Sequence, residues 1–138
     1  MIDLRRFDRS HLDGVLRLCV AEGWPSLPAD PERAVRVLTA PGVTTVVAAE
    51  EGTVLGFAQL FSDGELQAFL ALLAVDRDRR GEGIGRALVT EALRLAGGAR
   101  IDLLSEPESL GFYRSFPHVE SPGIRLYPTR TGQDGVSG

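Results

Sequence analysis

The sequence predicts an α/β (α+β) fold: one mixed central sheet, antiparallel in its N-terminal strands and parallel in its central pair, with flanking helices. Three observations carry this. Two β-rich runs, Val43 to Ala49 and Val54 to Phe61, are joined by Glu50-Glu51-Gly52-Thr53, a hairpin signal that sets antiparallel pairing. The run from Leu66 to Val75 is apolar on both faces, as expected of a central strand covered on each side. A helical pattern from Ile84 to about Ala96 separates that run from the short apolar stretch Ile101 to Leu104. A helical crossover between neighbouring strands makes them parallel.

The elements follow in order. Ile2 and Leu4 alternate with charged residues and form a first strand. Ser10-His11-Leu12-Asp13 reads as a helix start with Ser10 as N-cap, and Leu12, Val15, Leu16 and Cys19 follow as a buried stripe. Ala21 to Ala29 is a loop holding Trp24, Pro25 and Pro28. Asp30-Pro31-Glu32 places N-cap, N1 proline and first-turn acid in the order a second helix needs, and that helix ends near Pro41-Gly42. After the hairpin, a turn at Ser62-Asp63-Gly64 leads into the central strand. The next helix sets Ile84, Ala87, Leu88, Ala92 and Leu95 on one face and closes at Gly97-Gly98. Ser105-Glu106-Pro107 opens a short helix reaching about Arg114, and Val119 with Ile124 to Tyr127 supplies a final antiparallel pair. One domain over residues 1–128 results, with a polar, glycine-rich, disordered tail at 129–138.

The strongest functional signal is Leu73-Ala74-Val75-Asp76-Arg77-Asp78-Arg79-Arg80-Gly81-Glu82-Gly83-Ile84-Gly85-Arg86. An apolar strand runs into a basic, glycine-rich turn that opens directly into a helix. Helix N-termini carry unpaired N–H groups and partial positive charge, and with little side-chain bulk in the way a phosphate approaches the backbone itself. The bland reading is a tight corner whose glycines supply positive φ and whose arginines are solvated. No Gly-Lys-Ser/Thr follows Gly85, so this is not a Walker loop, and the glycine spacing is not that of a dinucleotide fingerprint.

Arg80, Gly83 and Gly85 after Leu73-Ala74-Val75 resemble the Arg-x-x-Gly-x-Gly pyrophosphate loop of the GCN5-related N-acetyltransferases, the GNAT family. The order of elements matches that family over about residues 1–128. The resemblance implies a GNAT fold in which the central parallel pair splays apart. It implies acetyl-CoA (coenzyme A) as cosubstrate, held by the backbone of Gly81, Gly83, Ile84, Gly85 and Arg86, by the charge of Arg79 and Arg80, and by the strand edge at Leu73 and Val75. It implies that a backbone N–H near Leu73 polarises the thioester. Tyr113, in Leu110-Gly111-Phe112-Tyr113-Arg114, matches the family's general acid and lies against coenzyme A; its bland reading is a ring packed beside Phe112 and Phe116. Trp24 and its neighbours Pro25 to Pro28 either wall the acceptor cleft or plug the core beneath it. The implied activity is N-acetyltransfer to a primary amine by direct attack. The alternative is a GNAT-like module that binds acyl-CoA without turnover.

Bulk properties bound the partners. A net charge of −4, with all 15 basic residues arginine, argues against nucleic acid and suits a small-molecule or peptide amine acceptor. The single cysteine, Cys19, excludes an intrachain disulfide, and no apolar run reaches the length of a membrane span, so a cytoplasmic location is expected. His11 and His118 lack close partner ligands, so no metal is expected. Glu22, Asp30, Glu65 and Asp102 are candidate bases that the sequence does not separate, and a homodimer is left open.

Overall fold

The computed structural model describes residues 1–129. Its elements are β1 (Asp3–Arg6), α1 (Leu12–Glu22), α2 (Pro31–Leu38), β2 (Val43–Glu50), β3 (Thr53–Ser62), β4 (Gln67–Val75), α3 (Ile84–Ala96), β5 (Arg100–Leu103) and α4 (Leu110–Arg114). One sheet holds the strands in the order β1-β2-β3-β4-β5. Neighbours are antiparallel except β4 and β5, which run parallel from Gln67↔Arg100 to Leu70↔Leu103.

Local chemistry explains most boundaries. Asp30 caps α2 by accepting from the Arg33 N–H, with Pro31 at the first helical position. The Asp63 carboxylate accepts from the N–H groups of Glu65, Leu66 and Gln67, which fixes the turn into β4 and holds its own pKa below the usual carboxylate range. The first helix starts differently from expectation. Asp8, not Ser10, is the capping residue: it accepts from the Ser10 N–H and begins a 3-10 turn that runs into α1. Leu18 joins the buried stripe of α1, while Leu16 is only half-buried. In α3, Val89 is buried and Ala87 and Leu95 are half-buried.

The two faces of the sheet carry separate cores. On one face α1 and α2 cover Val47, Val54, Phe57 and Ala74 with Val15, Leu18, Cys19, Ala34 and Leu38. Gly14 lets α1 come close, since a Cβ there would stand 2.6 Å from the Val54 Cβ. On the other face α3 covers Val46, Ala48, Leu55, Ala58, Leu60 and Leu70 with Ile84, Leu88, Val89 and Ala92, and Tyr113 and Phe116 of the α4 region join it.

A β-bulge divides β4. Gln59 pairs with Leu72 but Leu60 pairs with Leu70, so Ala71 is an extra residue. Ala68 and Leu70 face the α3 side, yet after the bulge Leu72 and Ala74 face the α1/α2 side and Leu73 and Val75 face α3. Pairing with β5 ends at Leu70, so the sheet opens where the bulge begins.

The expected final antiparallel pair is absent. Residues 117–127 form no strand, and Val119, Ile124 and Leu126 are 91%, 81% and 77% exposed, too open to be layered on a sheet. The proposed tail at 129–138 lies outside the described residues apart from Thr129.

Candidate functional site

The open half of β4 is the first component. The Asp76 N–H donates to the Leu55 carbonyl at 2.7 Å, toward β3. Alternation along the strand then turns the N–H groups of Leu73 and Val75 the opposite way, toward the edge β5 has left. These donors are backbone groups on a rigid strand, and their side chains pack against the α3 core.

The second component is the turn that follows. Gly81 and Gly83 both have φ of +82°, and a Cβ at either would meet nothing within 4 Å, so the backbone is accessible. Gly83 is the N-cap of α3 in a left-handed conformation that glycine adopts without strain. The first helical hydrogen bond runs from the Ala87 N–H to the Gly83 carbonyl at 3.1 Å. The N–H groups of Ile84, Gly85 and Arg86 therefore have no intrahelical acceptor. Three converging donors beside an unfilled cradle suit an anion such as a pyrophosphate. Gly85 lies against α4, where a Cβ would stand 3.2 Å from the Phe112 ring.

Arg79 and Arg80, whose charge the resemblance assigns to coenzyme A, are paired with carboxylates of this chain. Arg79 is held by two carboxylates, Glu50 at 3.0 Å and Glu82 at 2.9 Å, which raise its pKa and hold that of Glu50 down. Arg80 pairs with Glu22 at the end of α1 at 2.5 Å, and its Nε donates to the Val75 carbonyl at 3.3 Å. The Arg86 side chain turns away to the Ser115 hydroxyl (2.8 Å) and lies 3.9 Å over the Phe116 ring. The turn is thus close to charge-balanced, and its capacity for anions rests chiefly on backbone donors.

Tyr113 is half-buried on α4, edge-on to Phe112 with ring centroids 5.0 Å apart. Burial raises its phenol pKa, so the hydroxyl keeps its proton through the neutral range. Among the described residues that hydroxyl has no hydrogen-bond partner, leaving its proton available.

On the opposite face lies a cavity of about 150 Å³ lined by Cys19, Trp24, Ser26, Leu27, Gln59, Ala71 and Leu72. Trp24 packs against the α1/α2 core, as a core plug would, and also lines this opening. Gln59 and Ala71 carry no chemical signature in the sequence and enter through the sheet register alone. Of the candidate bases, Glu22 holds Arg80, Asp30 caps α2, Asp102 accepts the Gln67 amide at 2.6 Å, and Glu65 is exposed. The His118 ring is engaged by the Phe116 carbonyl and Glu120.

Comparison with known proteins agrees with this architecture. Residues 10–116 match the model of the acetyltransferase (GNAT) family. YitH, an uncharacterized N-acetyltransferase of Bacillus subtilis (strain 168), is 25% identical over 132 residues, 95% of this chain and 45% of that protein. The chloroplastic GCN5-related N-acetyltransferase 1 of Arabidopsis thaliana is 36% identical over 75 residues, 51% of this chain and 38% of its own length. The chain spans less than half the length of these two relatives. Among solved structures, a GNAT-family acetyltransferase from Streptococcus pneumoniae TIGR4 superposes with a TM-score of 0.74 at 25% identity, over 94% of this chain and 100% of that one. Aminoglycoside N-acetyltransferase AAC(6')-Iy, in complex with CoA, superposes with a TM-score of 0.78 at 20% identity, over 95% and 96%. Splayed sheet, glycine turn and family match agree, and the chain belongs to the acetyltransferase (GNAT) family.

Proposed function

We propose that this chain is an N-acetyltransferase that moves an acetyl group from acetyl-CoA to a primary amine by direct attack. The observation that carries the reading is the conjunction of an open β4 edge with an α3 N-terminus whose backbone is unshielded at Gly81 and Gly83. The N–H groups of Ile84, Gly85 and Arg86 hold the pyrophosphate, and Arg80 moves from Glu22 to add its charge. The edge groups of Leu73 and Val75 take the amides of the pantetheine arm. Bound there, acetyl-CoA supplies an activated thioester carbonyl to a neutral amine. The Leu73 N–H donates to the carbonyl oxygen as that oxygen gains negative charge, a contribution of about 2.7–4 kcal/mol for a preorganised donor. Tyr113 gives its proton to the departing sulfur as the C–S bond breaks, and the proton shed by the acylated amine passes to solvent water, from which Tyr113 is reprotonated. No side chain is needed as a covalent nucleophile, and the buried Cys19 thiol, pushed up to about 11 by burial and by Glu22, is unsuited to that role.

The acceptor is a small-molecule or peptide amine reached from the Trp24 face. A cytoplasmic setting belongs to the same reading, supported by the single buried thiol. No described helix is long and apolar enough to cross a membrane. A homodimer is compatible with all of this, because the site described is made by one chain.

Calorimetry with acetyl-CoA, CoA and ATP tests the proposal. Micromolar binding of both CoA forms, weak ATP binding, and loss of CoA binding in Gly83→Glu are expected. A folded protein that ignores CoA would remove the acetyltransferase and the acyl-CoA sensor together.

A further inference from the structure

The cavity on the α1/α2 face has a composition that selects among amines. We infer that it seats the body of the acceptor, and that this acceptor is a small amine with one compact apolar group, about the size of a benzene ring, and no second positive charge. The inference rests on the acetyltransfer reading, because it treats the cavity as the acceptor's half of that site.

Position comes first. Ala71 and Leu72 line the cavity at the point where β4 leaves β5, and the next residue is Leu73, whose N–H faces the open edge. The bulge is what turns Leu72 to this side while Leu73 faces the other. A group resting on Leu72 therefore has its amine within one residue's span of the edge that presents the carbonyl donor.

Size comes second. The cavity measures about 150 Å³, and an apolar cavity of about that volume holds one benzene molecule. Chemistry comes third. Cys19, Trp24, Leu27, Ala71 and Leu72 offer aliphatic, aromatic or thiol surface, and no carboxylate lines the space. Gln59 donates one amide N–H to the Val37 carbonyl at 3.2 Å, and what remains of its amide is neutral. Glu22, on the same helix as Cys19, lines a separate opening beside Arg17 and Asp76 and not this one. A second ammonium entering here would lose its water and find no counter-charge. An apolar group loses nothing and gains about fourfold in binding for each buried methylene.

Trp24 is the only tryptophan, so its emission reports this cavity and requires no turnover. The test titrates benzylamine, ethylamine and spermidine into the full chain saturated with CoA, and ranks the same amines by the rate of CoA release from acetyl-CoA. A saturable change with benzylamine, at least tenfold weaker with ethylamine and absent with spermidine, with the same rank in turnover, is the expected result. Ala71→Leu fills the space and should weaken benzylamine tenfold or more. The amine series on the unaltered chain decides the matter even if that variant does not fold. In protein that binds CoA, a Trp24 signal indifferent to benzylamine, or spermidine equal to or better than benzylamine, overturns the inference. Failure of CoA itself to bind in calorimetry instead overturns the acetyltransfer reading, so the two failures are told apart.

Discussion

In the proposed site Glu22 would compete with phosphate for Arg80, and removing that competition should tighten coenzyme A binding. The Arg80–Glu22 contact is 2.5 Å, with Arg80 52% and Glu22 20% exposed, so it is a part-screened surface pair. Such pairs contribute about 0.2–1 kcal/mol, and the lower half applies where one partner is this open. A hydrogen bond from the guanidinium to a phosphate contributes about 1.5–3 kcal/mol gross. The difference leaves Arg80 a net contribution to coenzyme A affinity of about 1–2.5 kcal/mol. Glu22→Gln keeps the side chain's shape and deletes its charge, so the dissociation constant should fall about 1.5- to threefold. Arg80→Ala should weaken binding about five- to seventyfold. The double variant should match Arg80→Ala alone, because Glu22 then has nothing to hold. Calorimetry with CoA reads all three, and pantetheine, which lacks the pyrophosphate, should be indifferent to each change. Weaker CoA binding by Glu22→Gln, or an equal gain in the Arg80→Ala background, would refute the exchange.

Three further outcomes are expected. Tyr113→Phe should lower kcat about 100-fold with the CoA dissociation constant within twofold, as for loss of a proton donor. Because burial raises its pKa, the acid's contribution should persist to a pH above that of an ordinary tyrosine, read from the alkaline limb of the rate profile. Cys19 is fully buried with its thiol pushed up to about 11, whereas an unfolded cysteine titrates near about 8.5. The folded state thus holds the proton more tightly; its stabilisation is complete below about pH 8.5 and is lost as pH rises to about 11, at most about 3 kcal/mol. From about pH 8.5 to about 11, urea melts should show the chain losing up to that amount of stability relative to Cys19→Ala, and parallel pH profiles would contradict it. Gly14→Ala drives a Cβ to 2.6 Å from the Val54 Cβ and should destabilise by about 1–3 kcal/mol despite the better helix former, as measured by thermal unfolding.

Much of the fold was legible because it is written locally. The Asp30-Pro31-Glu32 entry, the Glu50 to Thr53 hairpin and the Gly97 stop each lie within a few residues of the element they punctuate. The strand-to-helix glycine turn is legible for the same reason, since strand, glycines and helix are contiguous. The capping of α1 was misread because Asp8 and Ser10 are both good caps and only the backbone geometry separates them. The final strand pair was expected from apolar residues whose burial the structure does not provide. The arginines' partners were invisible because Glu22 and Glu50 lie 58 and 29 positions away in sequence. The bulge left no trace either: Leu70 to Val75 is apolar at every position, so a one-residue slip in facing exchanges one apolar residue for another.

That slip shapes how this strand tolerates change over generations. Residues 72 and 74 report to one pair of helices, and residues 73 and 75 to another. A substitution at 72 can reshape the opening on the α1/α2 face while residues 73 and 75 keep their register. Deleting Ala71 would transpose both sets at once, sending each side chain to the wrong neighbour. Inheritance of β4 is therefore forgiving of changes in spelling and unforgiving of changes in length.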